Sequence, residues 1–200
     1  MKTTMKVLYT GLRSDRYGAG HGYSFEYNNF YRALTGIPWI NVSEHPYDRI
    51  LEVGKEKFNR ELLERVRSEK PDALLAFMYT DEFDTGVLRA IREDTRTQSI
   101  AWFADDYWRF FNYSRHWAPH FNWVVTTYSK AVSWYRAAGL RNVMRSQWAC
   151  DTKSYKPFSL PKDIEVSFVG QYKSGRGKVI DALLRAGINV QCFGFGWPNG

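Results

Sequence analysis

The chain is poor in cysteine, with only Cys150 and Cys192 among its 200 residues. Neither belongs to a metal-type spacing, which removes zinc-finger and disulfide-framework classes and leaves free, buried thiols as the expectation. Long hydrophobic runs are also missing. A membrane span needs about 18 consecutive apolar residues, and near the N-terminus only Val7-Leu8-Tyr9 runs together, too short for the core of a signal peptide. A cytoplasmic location without a membrane span is the default expectation. No block of like charge, internal repeat or low-complexity stretch occurs, so nothing in the composition suggests a disordered tail.

Apolar residues make up 44% and charged residues 24%, globular values for a chain long enough to bury a sizeable core. The net charge of +7 is unevenly spread. Residues 41–100 hold ten basic and thirteen acidic side chains, whereas residues 101–161 hold eight basic against three acidic. That same middle segment carries sixteen aromatic residues, among them Trp102, Tyr107, Trp108, Phe110, Phe111, Trp117, Trp123, Trp134 and Trp148. Rings interleaved with cations suit sugars or bases, with the cations holding phosphates; most of the rings are nonetheless expected in the core.

Hydrophobic patterning alternates between strand and helix. Residues 6–10 (KVLYT) read as a strand, followed by the Gly-rich stretch GLRSDRYGAGHGYS and a helix over about 25–34. A second strand is expected at 37–42 and a charged helix with one apolar stripe at 55–69, ended by Pro71. Residues 73–78 read as a strand buried on both faces, 84–92 as a helix and 99–103 as a fourth strand. Asp105-Asp106 open a helix to about residue 113, Pro119 breaks it, and 123–127 form a fifth strand. Ser129 is expected to cap a helix to Ala138, with Gly139 in a left-handed terminal position and a sixth strand at 143–148. Short loops between strands and helices predict an α/β, Rossmann-like parallel sheet covered on both faces.

The composition changes at KSYKPFSLPKD, so residues 1–151 are expected to form a first domain and 152–163 a linker. Residues 164–200 then read as one βαβ unit: a strand at 165–170, a loop and helix at 175–187, and a strand at 190–193. One such unit does not make a domain alone. It is expected to be the beginning of a second Rossmann-like domain, cut short at Gly200.

Three stretches together, VVTTYSKAVSWYRAAGL, then Asp151, Tyr155 and Pro157, then SFVGQYKSGRGKVIDALLRAGINVQCFG, resemble the domain junction of GT-B glycosyltransferases. The nearest likeness is to the CgeB-like, spore-maturation-protein-like group of glycosyl transferase family 1. The resemblance is most specific over residues 122–197. Over 5–121 it rests on strand order, the Gly-rich first loop and the WFADD segment. It implies two Rossmann-like domains, the first facing a glycan, protein or small-molecule acceptor and the second a nucleotide-sugar donor. Donor sugar would pass to an acceptor hydroxyl without a bound metal or other cofactor.

Transfer of this kind needs backbone N–H groups and cations at the leaving diphosphate. Gly18, Gly20 and Gly22 let a backbone approach a ligand closely, although the loop lacks the GxGxxG dinucleotide fingerprint. Gly170, Lys173, Arg176 and Lys178 lie where related enzymes hold the diphosphate. Many relatives place a basic residue directly after the glycine; here it is Gln171, so the role falls to Arg176. For the acceptor base, Asp105 and Asp106 follow the fourth strand, where ligand clefts open. Adjacent carboxylates point to different sides, so at most one should face a cleft, and both also suit helix capping. His21 in the Gly-rich loop is the other candidate. His116 and His120 lack zinc-type helical spacing, and Glu82 and Asp84 after the third strand suit contact with acceptor hydroxyls or, more simply, capping of the following helix. Two other classes stand beside the transferase: a non-catalytic relative binding a glycan or partner through residues 101–161, and a nucleic-acid-directed sugar-modifying protein, which the charge permits without favouring. A homo-oligomer is also allowed.

Overall fold

The computed structural model describes residues 4–18, 20 and 22–197. His21 lies outside the described residues. The chain divides into two compact units, Met1–Lys156 and Pro157–Gly200.

Six parallel strands form the sheet of the first unit: β1 (Met5–Thr10), β2 (Ile40–Glu44), β3 (Ala73–Phe77), β4 (Gln98–Phe103), β5 (Trp123–Thr126) and β6 (Val143–Arg145), in the order β2-β1-β3-β4-β5-β6. The fold is α/β and Rossmann-like. Alternating side chains divide the interior in two, because successive residues of a strand point to opposite faces. Leu8, Leu74, Ala76, Ala101, Phe103 and Val124 enter the larger core, where they meet Phe58, Leu62 and Val66 of α3 (Lys55–Glu69) and Leu88 and Ile91 of α4 (Thr85–Asp94). Their neighbours Tyr9 and Phe77, with half-buried Leu75 and Trp102, face the other side and meet Phe30. That face is covered by the helical run 25–35, which ends in α1 (Arg32–Thr35).

Several local expectations shift. The run 25–35 contains a π-helical turn at Tyr27–Tyr31, and a second π-turn, Phe110–Ser114, joins α5 (Asp106–Arg109) to α6 (Arg115–Trp117). β2 begins at Ile40 rather than 37, because Ile37 closes a turn in which Ile40 N–H donates to its carbonyl. A short helix absent from the sequence reading, α2 (Arg49–Val53), precedes α3. Helix α7 (Ala131–Ala137) starts at Lys130 without a side-chain cap from Ser129, whereas Gly139 takes the expected positive φ of 86°.

β6 stops at Arg145, well short of Trp148. The chain then crosses to the smaller face, where Trp148 meets Phe25 and Phe77, and Asp151 N–H donates to Asn29 Oδ1 (3.3 Å). Leaving the sheet early buys this contact. The cysteines also depart from expectation: both are free, but Cys150 is exposed and Cys192 half-buried.

The second unit pairs β7 (Val166–Val169) with β8 (Val190–Phe193) in parallel around α8 (Ser174–Arg185). The turns after the two strands touch. A Cβ at Gly194, whose φ is 136°, would overlap the Gly170 carbonyl oxygen, so glycine is required where these loops meet.

Leu74, fully buried at the centre of β3, tests the main core. Leu74→Ala should cost about 2–5 kcal/mol, read as a lowered urea midpoint at unchanged slope. A midpoint shift within error would show that the core does not close around β3.

Candidate functional site

In an open parallel sheet, ligands bind beyond the carboxyl ends of the strands where the order reverses. Here β1 has β2 on one side and β3 on the other, so this rule points to the loops following β1, β2 and β3. The first loop is held by carboxylates from its neighbours. Asp48 accepts both Arg13 N–H (2.8 Å) and Ser14 N–H (2.9 Å), and the Arg13 guanidinium pairs with half-buried Glu44 at the end of β2. Ser14 and Tyr23 then form an antiparallel bridge that closes the loop upon itself.

Glu82 is buried after β3 and does not cap α4; that role belongs to Asp84, which accepts Gly86 N–H (2.7 Å) and Val87 N–H (3.2 Å). Instead, Glu82 accepts Thr80 N–H with both oxygens (3.0 and 2.8 Å) and Tyr17 OH (3.1 Å). It therefore ties the β1 loop to the β3 loop. Burial, and then the Glu82 charge, push the Tyr17 phenol far above its ordinary range, keeping it a proton donor. The unusual backbone of this loop is also not where the glycines suggest. Arg16 and Tyr17 are left-handed (φ 51° and 56°), while Gly18 has an ordinary φ of −116° and only Gly22, at 77°, needs glycine's freedom. Non-glycine residues in this region cost energy, and the Tyr17–Glu82 bond helps hold them.

The two aspartates after β4 diverge, as adjacent carboxylates should. Asp105 is half-buried, and its carbonyl, not its side chain, accepts Trp108 N–H and Arg109 N–H (3.1 and 2.9 Å). Asp106 is fully enclosed and accepts Tyr135 OH (2.9 Å) at Oδ2; Oδ1 has no partner among the described residues. Neither caps the helix. Burial raises the Asp106 pKa, opposed by hydrogen bonding with neighbours including Tyr135. Arg109 joins this segment to the β3 loop by donating to Tyr79 O (2.7 Å) and lying 3.8 Å over the Tyr113 ring.

Sequence reasoning missed Glu26, at the start of the helix after the β1 loop. It is half-buried, and burial raises its pKa. It also missed the clamps Asp48 and Glu82, whose partners are distant in sequence. In the second unit, Arg176 Nη1 donates to the carbonyl of Gln171, the residue after Gly170 (2.8 Å), with its guanidinium over Phe168. Trp197 Nε1 donates to Gly170 O (2.8 Å). Lys173 and Lys178 are exposed.

No protein-family profile and no curated protein sequence matches the chain. Among solved structures, the apo form of the lipopolysaccharide outer core galactosyltransferase WaaB aligns with a TM-score of 0.55 over 94% of this chain. The two share an α/β, Rossmann-like fold. At 13% identity the likeness is one of fold, and the chain spans 60% of the length of that galactosyltransferase.

The enclosed Asp106 gives a pH test. Its raised folded pKa means that folding favours the protonated acid; that stabilising contribution is present below the unfolded value near 4 and lost as pH rises through the folded value. Asp106→Asn, which does not ionise, lacks this loss. Its stability relative to wild type should therefore improve between about pH 4 and pH 8 in denaturant titrations. A flat relative stability would show a carboxylate whose pKa folding does not shift, and a worsening one a carboxylate that its partners hold ionised.

Proposed function

We propose that this chain serves sugar transfer from a nucleotide-activated donor to an acceptor hydroxyl, as a CgeB-like relative of the GT-B glycosyltransferases. The observation carrying the proposal is the glycosyltransferase-like fold across 94% of the chain, aligned with a galactosyltransferase. The domain-junction motif over residues 122–197 supports the same reading.

In this proposal the acceptor lies at the crevice of the first unit. Its hydroxyl oxygen attacks the anomeric carbon while the bond from that carbon to the diphosphate oxygen breaks. Asp105 takes the hydroxyl proton, because it retains exposed surface where Asp106 has none. The nucleoside diphosphate leaves with its charge met by Arg176 and by the N–H groups opening α8, rather than by a metal ion. Gly170 allows the backbone close to the diphosphate. Gly18, Gly20 and Gly22 border the acceptor, and Glu82 acts through Tyr17 by fixing the loop they belong to.

Incubation with a panel of UDP-, GDP- and ADP-sugars should release nucleoside diphosphate in the presence of acceptor, and calorimetry should detect donor binding. Failure to bind any donor would overturn the reading. Arg176→Ala should weaken donor binding by about tenfold or more, the size of a lost charge-assisted hydrogen bond, without loss of fold. Asp105→Asn should reduce turnover by about 10²–10⁴ with donor affinity retained; full turnover would remove Asp105 from the base role.

A further inference from the structure

The segment after β4 exposes rings that neither the core nor the crevice uses. Tyr107, Trp108 and Phe111 are 65%, 56% and 57% exposed within five residues of chain. The opposite side of the same segment is anchored by Asp106, Phe110 and Ser114, all buried, so the segment is fixed and its outward side is defined. The outward rings continue into half-buried neighbours: Phe111 lies 5.1 Å from Trp134, and Tyr107 lies 6.4 Å from Tyr128. An exposed apolar surface of this kind marks a place where something docks.

Charge narrows the occupant. Residues 101–145 contain six Lys or Arg and two carboxylates, Asp105 and the enclosed Asp106. None of those six cations forms an ion pair with a carboxylate among the described residues. Arg115 follows Tyr107 and Phe111 at four-residue steps along the helical segment, and Lys130 stands four residues before Trp134 at the start of α7; both are exposed. The partner is thus apolar where it meets the rings and anionic around them.

Shape narrows it again. Tyr107 and Trp108 stand edge to face, 71° apart. A sugar or a base is held flat against a ring and gripped by hydrogen bonds, whereas the headgroup region of a bilayer accepts rings at any angle and favours Trp and Tyr beside Lys and Arg. We infer that Tyr107, Trp108 and Phe111, flanked by Arg115 and Lys130, form a peripheral docking surface for an anionic lipid bilayer. No helix among the described residues is long and apolar enough to cross a membrane, so the attachment lies in the interface. This inference does not depend on the transferase reading.

Co-sedimentation of the full chain with phosphatidylcholine vesicles, with and without phosphatidylglycerol, tests it. The chain should pellet with the anionic vesicles, remain in solution with the neutral ones, and be released by added salt. Arg115→Gln with Lys130→Gln should weaken the partition about twenty-five-fold, from roughly fivefold for each cation near an anionic surface. Replacing Tyr107, Trp108 and Phe111 together by Ser should abolish it while the circular dichroism spectrum is kept, as exposed side chains allow. Wild-type protein left in solution with anionic vesicles would overturn the inference, as would a triple variant that still pellets. Retention on heparin or duplex DNA that exceeds vesicle binding and survives the triple substitution would assign the cations to a polyanion instead.

Discussion

The sheet grows in both directions from β1, and the organisation of the first unit depends on that constraint. β2 is reached over the face covered by the 25–35 helix, and the chain returns to β3 over the opposite face through α3. Right-handed crossovers allow this only if the two connections lie on different faces. The loops after β1 and β3 therefore part company at the carboxyl end of the sheet, and their backbone N–H groups lose strand partners there. Asp48 and Glu82 replace those partners. The links between the described residues of these two loops follow from topology together with two carboxylates.

Rings pack on both faces of the sheet. In the larger core Phe58, Phe83, Phe103 and Tyr135 lie among the aliphatic residues of α3 and α4, and the smaller face has one short helical run to cover it. Few side chains must fill that space, so they are large: Phe30 packs edge-to-face against Phe77 and Trp102 at 5.1 and 4.9 Å, and Trp148 closes over Phe77 from the returning chain. Tyrosines serve where a ring must also satisfy a polar group. Tyr47, fully buried, donates to Phe77 O (2.9 Å), and Tyr135 donates to Asp106. Burial lifts both phenols well above their normal range, so they act as fixed donors rather than titrating groups.

Features set by local pattern were legible in the sequence. The unbroken apolar run at 73–77 and the single stripe of residues 55–69 became β3 and α3 because each buries its surface whatever the neighbours are. The strand-to-helix unit of residues 165–193 was legible as β7, α8 and β8 for the same reason. The divergence of Asp105 and Asp106 was legible for the same local reason. Other features depend on partners that no local spacing announces. Asp48 reaches back 35 residues to Arg13 and Glu82 reaches back 65 to Tyr17, so neither could be told from an ordinary surface acid or helix cap. Arg16 and Tyr17 occupy left-handed backbone that the adjacent glycines seemed designed to take. The short β6 likewise depends on distant partners, since Trp148 lies against Phe25 and Phe77 rather than extending the strand.

Net charge shows how pairing, rather than composition, sets the field of this protein. Acidic residues dominate 41–100, yet many are spent internally: Glu44 on Arg13, Glu61 on Arg49, Glu69 on Arg65, Asp48 and Asp84 on backbone N–H groups. Arg49 and Arg65 are consumed in the same contacts, so that half of the unit presents compensated charge. Across 101–145 the cations have no such carboxylates to meet. Because screening confines exposed charges to about 8–10 Å at ordinary salt, an excess acts only where it is local. The uncompensated cations and the exposed rings fall on the same stretch of chain, so burial of the rings by a partner and neutralisation of the cations by that partner are coupled: an apolar partner without charge would leave the cations unpaired in a drier environment, and a polyanion without an apolar layer would leave the rings in water.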